Sequence, residues 1–173
     1  MPTDRHIVLL GLMGAGKSSV GRRVAKRLDR ELIDGDVVLD ERTGGMTAAE
    51  VADSEGIDAL HDMEAQIALD ALASTTPAVI GPAASTIEVD AVREALAHHL
   101  VVWLKAPASY LAERAVQKDH RPLLDEGDPR ELFEQQLAVR EPLVLPIADL
   151  VVEVTTMSKD EQADAVAALA HQR

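Results

Sequence analysis

The sequence predicts an α/β fold on a parallel sheet, and three observations carry that expectation. The apolar run Ile7-Val8-Leu9-Leu10 leads into a glycine-rich loop, Gly11 to Ser18, and a helical pattern from Ser19 to Leu28 follows, so the opening reads strand, loop, helix. Further short apolar runs alternate with helical patterns, and Leu100-Val101-Val102-Trp103-Leu104 has the unbroken apolarity of a strand covered on both faces. With 47% hydrophobic residues in 173, the chain supplies one good core, and a single domain over 1–173 is expected.

In order along the chain, Glu31 to Asp34 is a second short strand, running into Asp34-Gly35-Asp36. A short helix from Val37 to Arg42 follows, stopped by Gly44-Gly45. Thr47 and Glu50 have the spacing of a capping box for a helix to about Ser54. Ile57, Leu60, Glu64, Ile67 and Leu72 continue helical periodicity beyond Gly56. Ala78 to Gly81 is a third strand, Val89 to Leu96 a helix, and Leu100 to Leu104 the fourth strand. Pro107 starts a helix that carries Leu111 and Arg114 and ends before the polar run Gln117 to Pro122, which is read as a loop. Asp128-Pro129 opens the next helix, through Leu132, Phe133, Leu137 and Arg140, and Pro142 and Pro146 are expected to forbid its continuation. Leu150 to Val154 is the fifth strand, and Ser158 with Glu161 forms a second capping box for a helix to about His171.

The loop Gly11-Leu12-Met13-Gly14-Ala15-Gly16-Lys17-Ser18 has Walker A spacing. Its glycines let successive backbone N–H groups turn toward one anion, so Gly14, Ala15, Gly16 and the start of the helix at Lys17, Ser18 and Ser19 are candidate nucleotide-binding positions. Lys17 is positioned to reach the β and γ phosphates, and the Ser18 hydroxyl to ligate Mg²⁺. ATP and Mg²⁺ are the implied cofactors. Asp34 and Asp36 stand at the carboxyl end of a predicted strand, where ligands gather in parallel sheets. For Asp36 a competing reading is a simple helix cap.

With this loop, the Asp34-Gly35-Asp36 pair, Arg121-Pro122-Leu123-Leu124 and Arg140 in view, the whole chain resembles the shikimate kinase family. The resemblance implies a three-layer P-loop kinase fold: a five-stranded parallel sheet of order 2-3-1-4-5 flanked by helices, with a lid at about 118–127 and an acceptor-binding region at about 36–72. It also implies transfer of the ATP γ-phosphate to a hydroxyl of a small ring acid. Residue by residue, Lys17 and Ser18 match the phosphate and metal groups, Asp34 the carboxylate near the metal, and Asp36 the carboxylate holding the acceptor hydroxyl. Arg121 matches the lid arginine, Arg114 the guanidinium against adenine, and Arg140 one of two arginines that clamp the acceptor carboxylate.

The departures fall on the acceptor side. The family pattern Gly-Glu-x-x-Phe-Arg-x-x-Glu reads here from Gly56 to Glu64 with His61 in place of the second clamping arginine. The aromatic walls of the acceptor pocket become Ala52 and Leu60, and the glycines after the third strand become Gly81-Pro82-Ala83. Candidate acceptor-binding residues are Asp36, His61, Gly81 and Arg140. Arg140 has a competing role as a cation near a helix C-terminus, and His61 as a partner of Asp58 or Glu64. His98 and His99 read as a helix-end cap. The expectation is an ATP-dependent kinase for a small hydroxylated acceptor other than shikimate, with shikimate itself as the first alternative and a non-catalytic ATP-binding regulatory protein as the second.

Composition narrows the partners. The 30 acidic against 17 basic residues give a net charge of −13, which disfavours nucleic acid and anionic membrane surfaces. The absence of cysteine excludes disulfides and thiolate chemistry. Aromatic residues are 2% of the chain, so adenine must be held without an aromatic stack. The opening residues Met1 to His6 show no leader pattern, and no apolar run reaches bilayer length. A cytoplasmic, soluble monomer acting on a small molecule is the expectation.

Overall fold

The computed structural model describes residues 1–116 and 127–172. Five strands form one sheet: β1 (Ile7–Leu10), β2 (Leu32–Asp34), β3 (Val79–Gly81), β4 (Leu100–Lys105) and β5 (Leu150–Glu153). All pairings are parallel and the order is β2-β3-β1-β4-β5. Parallel neighbours need a crossover, and the intervening helices supply it by covering both faces. That is why β1 and β4 are apolar at nearly every position: every residue of β1 and Leu100 to Leu104 of β4 are buried. The register Asp34 opposite Gly81 and Leu10 opposite Trp103 brings the carboxyl ends of β2, β3 and β1 together at one edge.

The helices are α1 (Lys17–Leu28), α2 (Gly35–Thr43), α3 (Ala48–Glu55), α4 (Ile57–Leu72), α5 (Asp90–Leu96), α6 (Ala108–Val116), α7 (Pro129–Val144) and α8 (Lys159–Gln172). Both capping boxes form. Thr47 Oγ1 accepts from Glu50 N while Glu50 Oε2 accepts from Thr47 N, and Ser158 and Glu161 do the same at α8. A main core gathers on the sheet, with Trp103 and Phe133 among its largest buried side chains. A smaller cluster of Leu39, Val51, Leu60 and Ile67 holds α2, α3 and α4 together.

Two local expectations are revised, and one element is added. The cap of α2 is Asp34, whose Oδ1 accepts from Asp36 N at 3.0 Å, so Asp36 is an exposed residue of the first turn and not the cap. Helix α7 runs through Pro142 to Val144. A proline in the last turn forfeits a single backbone bond, and Leu145 N to Glu141 O at 3.0 Å and Ala148 N to Val144 O at 2.9 Å carry the chain past it. A 3₁₀ turn, Ala84–Glu88, separates β3 from α5 and is not signalled by the periodicity.

His98 and His99 lie beyond the end of α5. Their carbonyls accept from Arg5, and the His99 ring packs 4.7 Å from that of His6. His6 in turn ties the base of the sheet, with Nδ1 accepting from Ala78 N at 3.0 Å. Burial, followed by the neighbouring His6, His98 and Arg5 charges, lowers the His99 pKa from 6.5 to about 4. Between those values the unfolded chain holds a proton that the folded chain refuses, so this stability is full above pH 6.5 and is lost on acidification toward pH 4. Thermal melts should therefore show Tm falling across that window, and His99→Gln should flatten the fall. An unchanged acid slope in the variant would assign the effect elsewhere.

Candidate active site

The backbone builds the phosphate loop. Gly14 and Gly16 sit at φ +88° and +104°, conformations that L side chains rarely adopt, and they turn the chain from β1 into α1. Ala15 is buried between them. Helix α1 then begins at Lys17 without a side-chain cap, leaving its first N–H groups directed at the loop. Lys17 Nζ donates to Gly11 O at 2.7 Å and Leu12 O at 3.4 Å, so the ammonium is held over its own loop. Ser19 Oγ accepts from Arg23 Nη1 at 2.8 Å, one helical turn along.

Ser18 Oγ donates to Asp34 Oδ2 at 2.5 Å. This bond links the start of α1 to the end of β2 across the carboxyl end of β3. Gly35 makes the approach possible: a Cβ there would crowd Ala83 N at 3.2 Å and Gly81 O at 3.3 Å. Gly81 lies beside Lys17, with 3.9 Å between its own would-be Cβ and that of the lysine. Among the described residues no three carboxylates or histidines form a metal cage. A hydroxyl and a carboxylate in contact fit Mg²⁺, a hard cation that takes few protein oxygens and completes its shell with phosphate and water.

Arg114, on α6, reaches back to the loop: Nε donates to Gly14 O at 2.9 Å and the guanidinium lies 5.4 Å from the Tyr110 ring. Lys159, at the first position of α8, reaches the same loop, with Nζ 3.5 Å from Ala15 O. Lys159 is not signalled locally in the sequence, where its segment reads only as a capping box. A groove of about 750 Å³ between α6 and α7, lined by residues such as Pro107 and Leu145, includes none of the loop residues.

On the acceptor side, Glu64 of α4 is the group that sequence reasoning left out of the site. It is half-buried, accepts from Ser85 Oγ at 2.6 Å, and has its pKa raised by desolvation above the ordinary carboxylate value. His61, Asp36 and Arg140 all lie close enough to act on its charge: the histidine and arginine favour ionisation and Asp36 opposes it. These residues come from α2, α4 and α7, so three helices contribute charge to the surroundings of Glu64. The signal was present as the last Glu of the family pattern. His61 is half-buried and forms no ion pair with Asp58 or Glu64 among the described residues. Leu60, in the place of an aromatic wall, is buried in the smaller core, with Ala52 packed against that cluster.

Arg140 is buried, and it is already engaged. Its Nε donates to Glu88 Oε1 at 2.6 Å and its Nη1 to Gln136 Oε1 at 3.1 Å. Glu88 ends the 3₁₀ turn after β3. Arg121 and all but Gly127 of the expected lid at about 118–127 lie outside the described residues.

A family model described as shikimate kinase matches residues 13–170. The chain belongs to the shikimate kinase family. It is 37% identical over 154 residues to a shikimate kinase of Halorhodospira halophila, covering 88% of this chain and 86% of that one. A shikimate kinase of Shewanella oneidensis is 36% identical over 159 residues, covering 91% of this chain and 92% of the relative. The solved shikimate kinase of Acinetobacter baumannii in complex with shikimate superposes with a TM-score of 0.91 at 27% identity, covering 99% of this chain and 95% of that one. The family's sheet order, 2-3-1-4-5, is the order observed here. Among the described residues no helix is long and apolar enough to cross a membrane.

Lys17 is half-buried and stands outside the hydrophobic core, with its ammonium donating to the Gly11 and Leu12 carbonyls, so its removal is expected to spare the fold. Lys17→Met is expected to lower turnover at least about a hundred-fold with Tm largely kept, read by ADP release and a thermal melt. A loss confined to Tm would make it a structural lysine.

Proposed function

We propose that this member of the family transfers the γ-phosphate of ATP to a hydroxyl of shikimate. The observation that carries the reading is the Ser18–Asp34 contact beside the phosphate loop, with Asp36 two residues on in the first turn of α2. The names of the relatives support shikimate as acceptor more than the different acceptor expected from the sequence departures.

In this reading the loop amides and Lys17 hold the phosphates, and Ser18 and Asp34 would hold Mg²⁺, which would supply neutralisation of phosphate charge. Asp36 orients the acceptor hydroxyl and takes its proton as the oxygen attacks the γ-phosphorus. The bond from that phosphorus to the β–γ bridging oxygen breaks and ADP leaves. Arg114 covers the adenine, and Arg121 contributes positive charge from the lid. Little covalent chemistry falls to the protein, so positioning and charge carry most of the rate. A cytoplasmic monomer belongs to the same reading.

A second reading, an acceptor without the shikimate carboxylate, is favoured by one specific observation. Of the two arginines that resemblance assigns to that carboxylate, one is His61 and the other is paired with Glu88 at 2.6 Å. Pro82 also lacks a backbone N–H. A charge-assisted bond of this kind is worth about 1.5–3 kcal/mol, and a competing carboxylate must displace Glu88 to gain it.

A coupled ADP-release assay with shikimate decides between them. Shikimate-dependent turnover supports the first reading; ATP binding without stimulation by shikimate, and stimulation by an uncharged polyol, supports the second. Asp36→Asn should lower kcat about 10²- to 10⁴-fold, as loss of a general base does. A kcat within a few-fold of the parent would leave Asp36 as a residue of the α2 first turn and nothing more. If shikimate is the acceptor, Glu88→Gln should lower its KM by freeing Arg140, about ten-fold by the same bond energy, whereas an unchanged KM would mean that Arg140 does not meet the acid.

A further inference from the structure

Lys159 is the first residue of α8, a helix start fixed by the reciprocal Ser158 and Glu161 bonds. Helix α8 packs along α1, and this carries the lysine back over the phosphate loop. The approach is close: a Cβ at Gly16 would overlap Lys159 Nζ, and the ammonium makes one long contact, 3.5 Å, to Ala15 O. An ammonium has three donors, and a half-buried one with a single long contact is poorly satisfied by the protein alone.

Its electrostatic setting is unusual for so acidic a chain. Among the described residues, Lys159 has no carboxylate within ion-pair distance, although two acidic residues follow it directly. Asp160 is turned to Arg23 and Arg27, and Glu161 to Ser158 N. Arg114, the other cation brought to this loop from a distant element, also has no carboxylate partner among the described residues. Burial first, then repulsion from Arg114 and Arg23, lowers the Lys159 pKa below the usual lysine value. Two cations pressed on the backbone of one loop, in a chain of net charge −13, need an anion to offset them.

We propose that Lys159 is a phosphate-contacting residue of the nucleotide site, a second lysine on the phosphate chain in addition to Lys17. The inference rests on the reading of the loop as a nucleoside triphosphate site. It assigns to the start of α8 a binding role beyond its capping box. Glycine at position 16 is required by its φ of +104°, and the absence of a side chain there leaves the space that the ammonium occupies.

Calorimetric titration of ADP into the parent chain, Lys159→Met, Lys159→Gln and Lys159→Arg, at low and high salt, tests it. Loss of a charge-assisted phosphate contact should raise Kd for ADP about ten- to a hundred-fold in the Met and Gln variants, and Lys159→Arg should retain most of the affinity. The dependence of Kd on salt should also weaken in the neutral variants, because one Coulombic contact is gone. A Kd within two-fold of the parent, or a loss of equal size at both salt concentrations, overturns the proposal and leaves Lys159 as packing over Gly16. A parent chain that binds no ADP overturns the nucleotide reading itself and this inference with it, an outcome distinct from normal parental binding that the substitutions leave unmoved.

Discussion

The 2.5 Å hydrogen bond from Ser18 to Asp34 joins two elements that are not neighbours in the sheet. Strand β3 lies between β1 and β2, so the bond spans the carboxyl end of β3 and fixes how far apart the phosphate loop and the start of α2 can sit. Everything at the site depends on that spacing. Asp34 serves two elements at once, with one oxygen receiving the Ser18 hydroxyl and the other capping α2 through Asp36 N. The same carboxylate therefore holds the Ser18 hydroxyl and sets the direction in which Asp36 leaves the backbone. Gly35 is the residue that lets α2 start so near Gly81 and Ala83.

Charge is distributed unevenly over this frame. The chain is strongly acidic, yet Lys17, Arg114 and Lys159 all contact the backbone of the phosphate loop. Local positive potential of this kind concentrates a polyanionic ligand, while the acidic remainder repels nucleic acid. The acceptor side is built differently. Arg140 is paired with Glu88, and Glu64 is half-buried with a raised pKa. A pair such as Arg140–Glu88 costs desolvation and repays it through geometry, so it gives shape and specificity more readily than stability. The two halves of the site thus differ in how much positive charge they leave for a ligand.

Much of this was legible in the sequence wherever the interaction is local. The phosphate loop is eight contiguous residues, and its glycines, lysine and serine can be read without knowing what surrounds them. The two capping boxes, at Thr47 and Ser158, each close over three residues and formed as read. The buried strands announced themselves by unbroken apolarity. Expectations failed where two local signals competed. Asp34 and Asp36 are both good caps, and the backbone path from β2 chose Asp34; Pro142 is a helix breaker whose cost is small in a final turn.

What the sequence by itself determined is the list of parts: a phosphate loop, a parallel α/β sheet, the Asp34-Gly35-Asp36 pair and a resemblance strong enough to name the family. What only the tertiary structure decided is which long-range partners those parts have. Arg140 meets Glu88 across 52 positions, Glu64 meets Ser85 across 21, and Lys159 reaches Ala15 across 144. No pattern along the chain encodes such pairs, because their separation is set by how α7, α4 and α8 pack on the sheet. Periodicity fixes which face of a helix is buried, but the identity of the residue opposite a charged side chain follows from helix placement, register and the turn after β3. Those are properties of the packed core, and they decide which of the cations in the sequence remain available to a ligand.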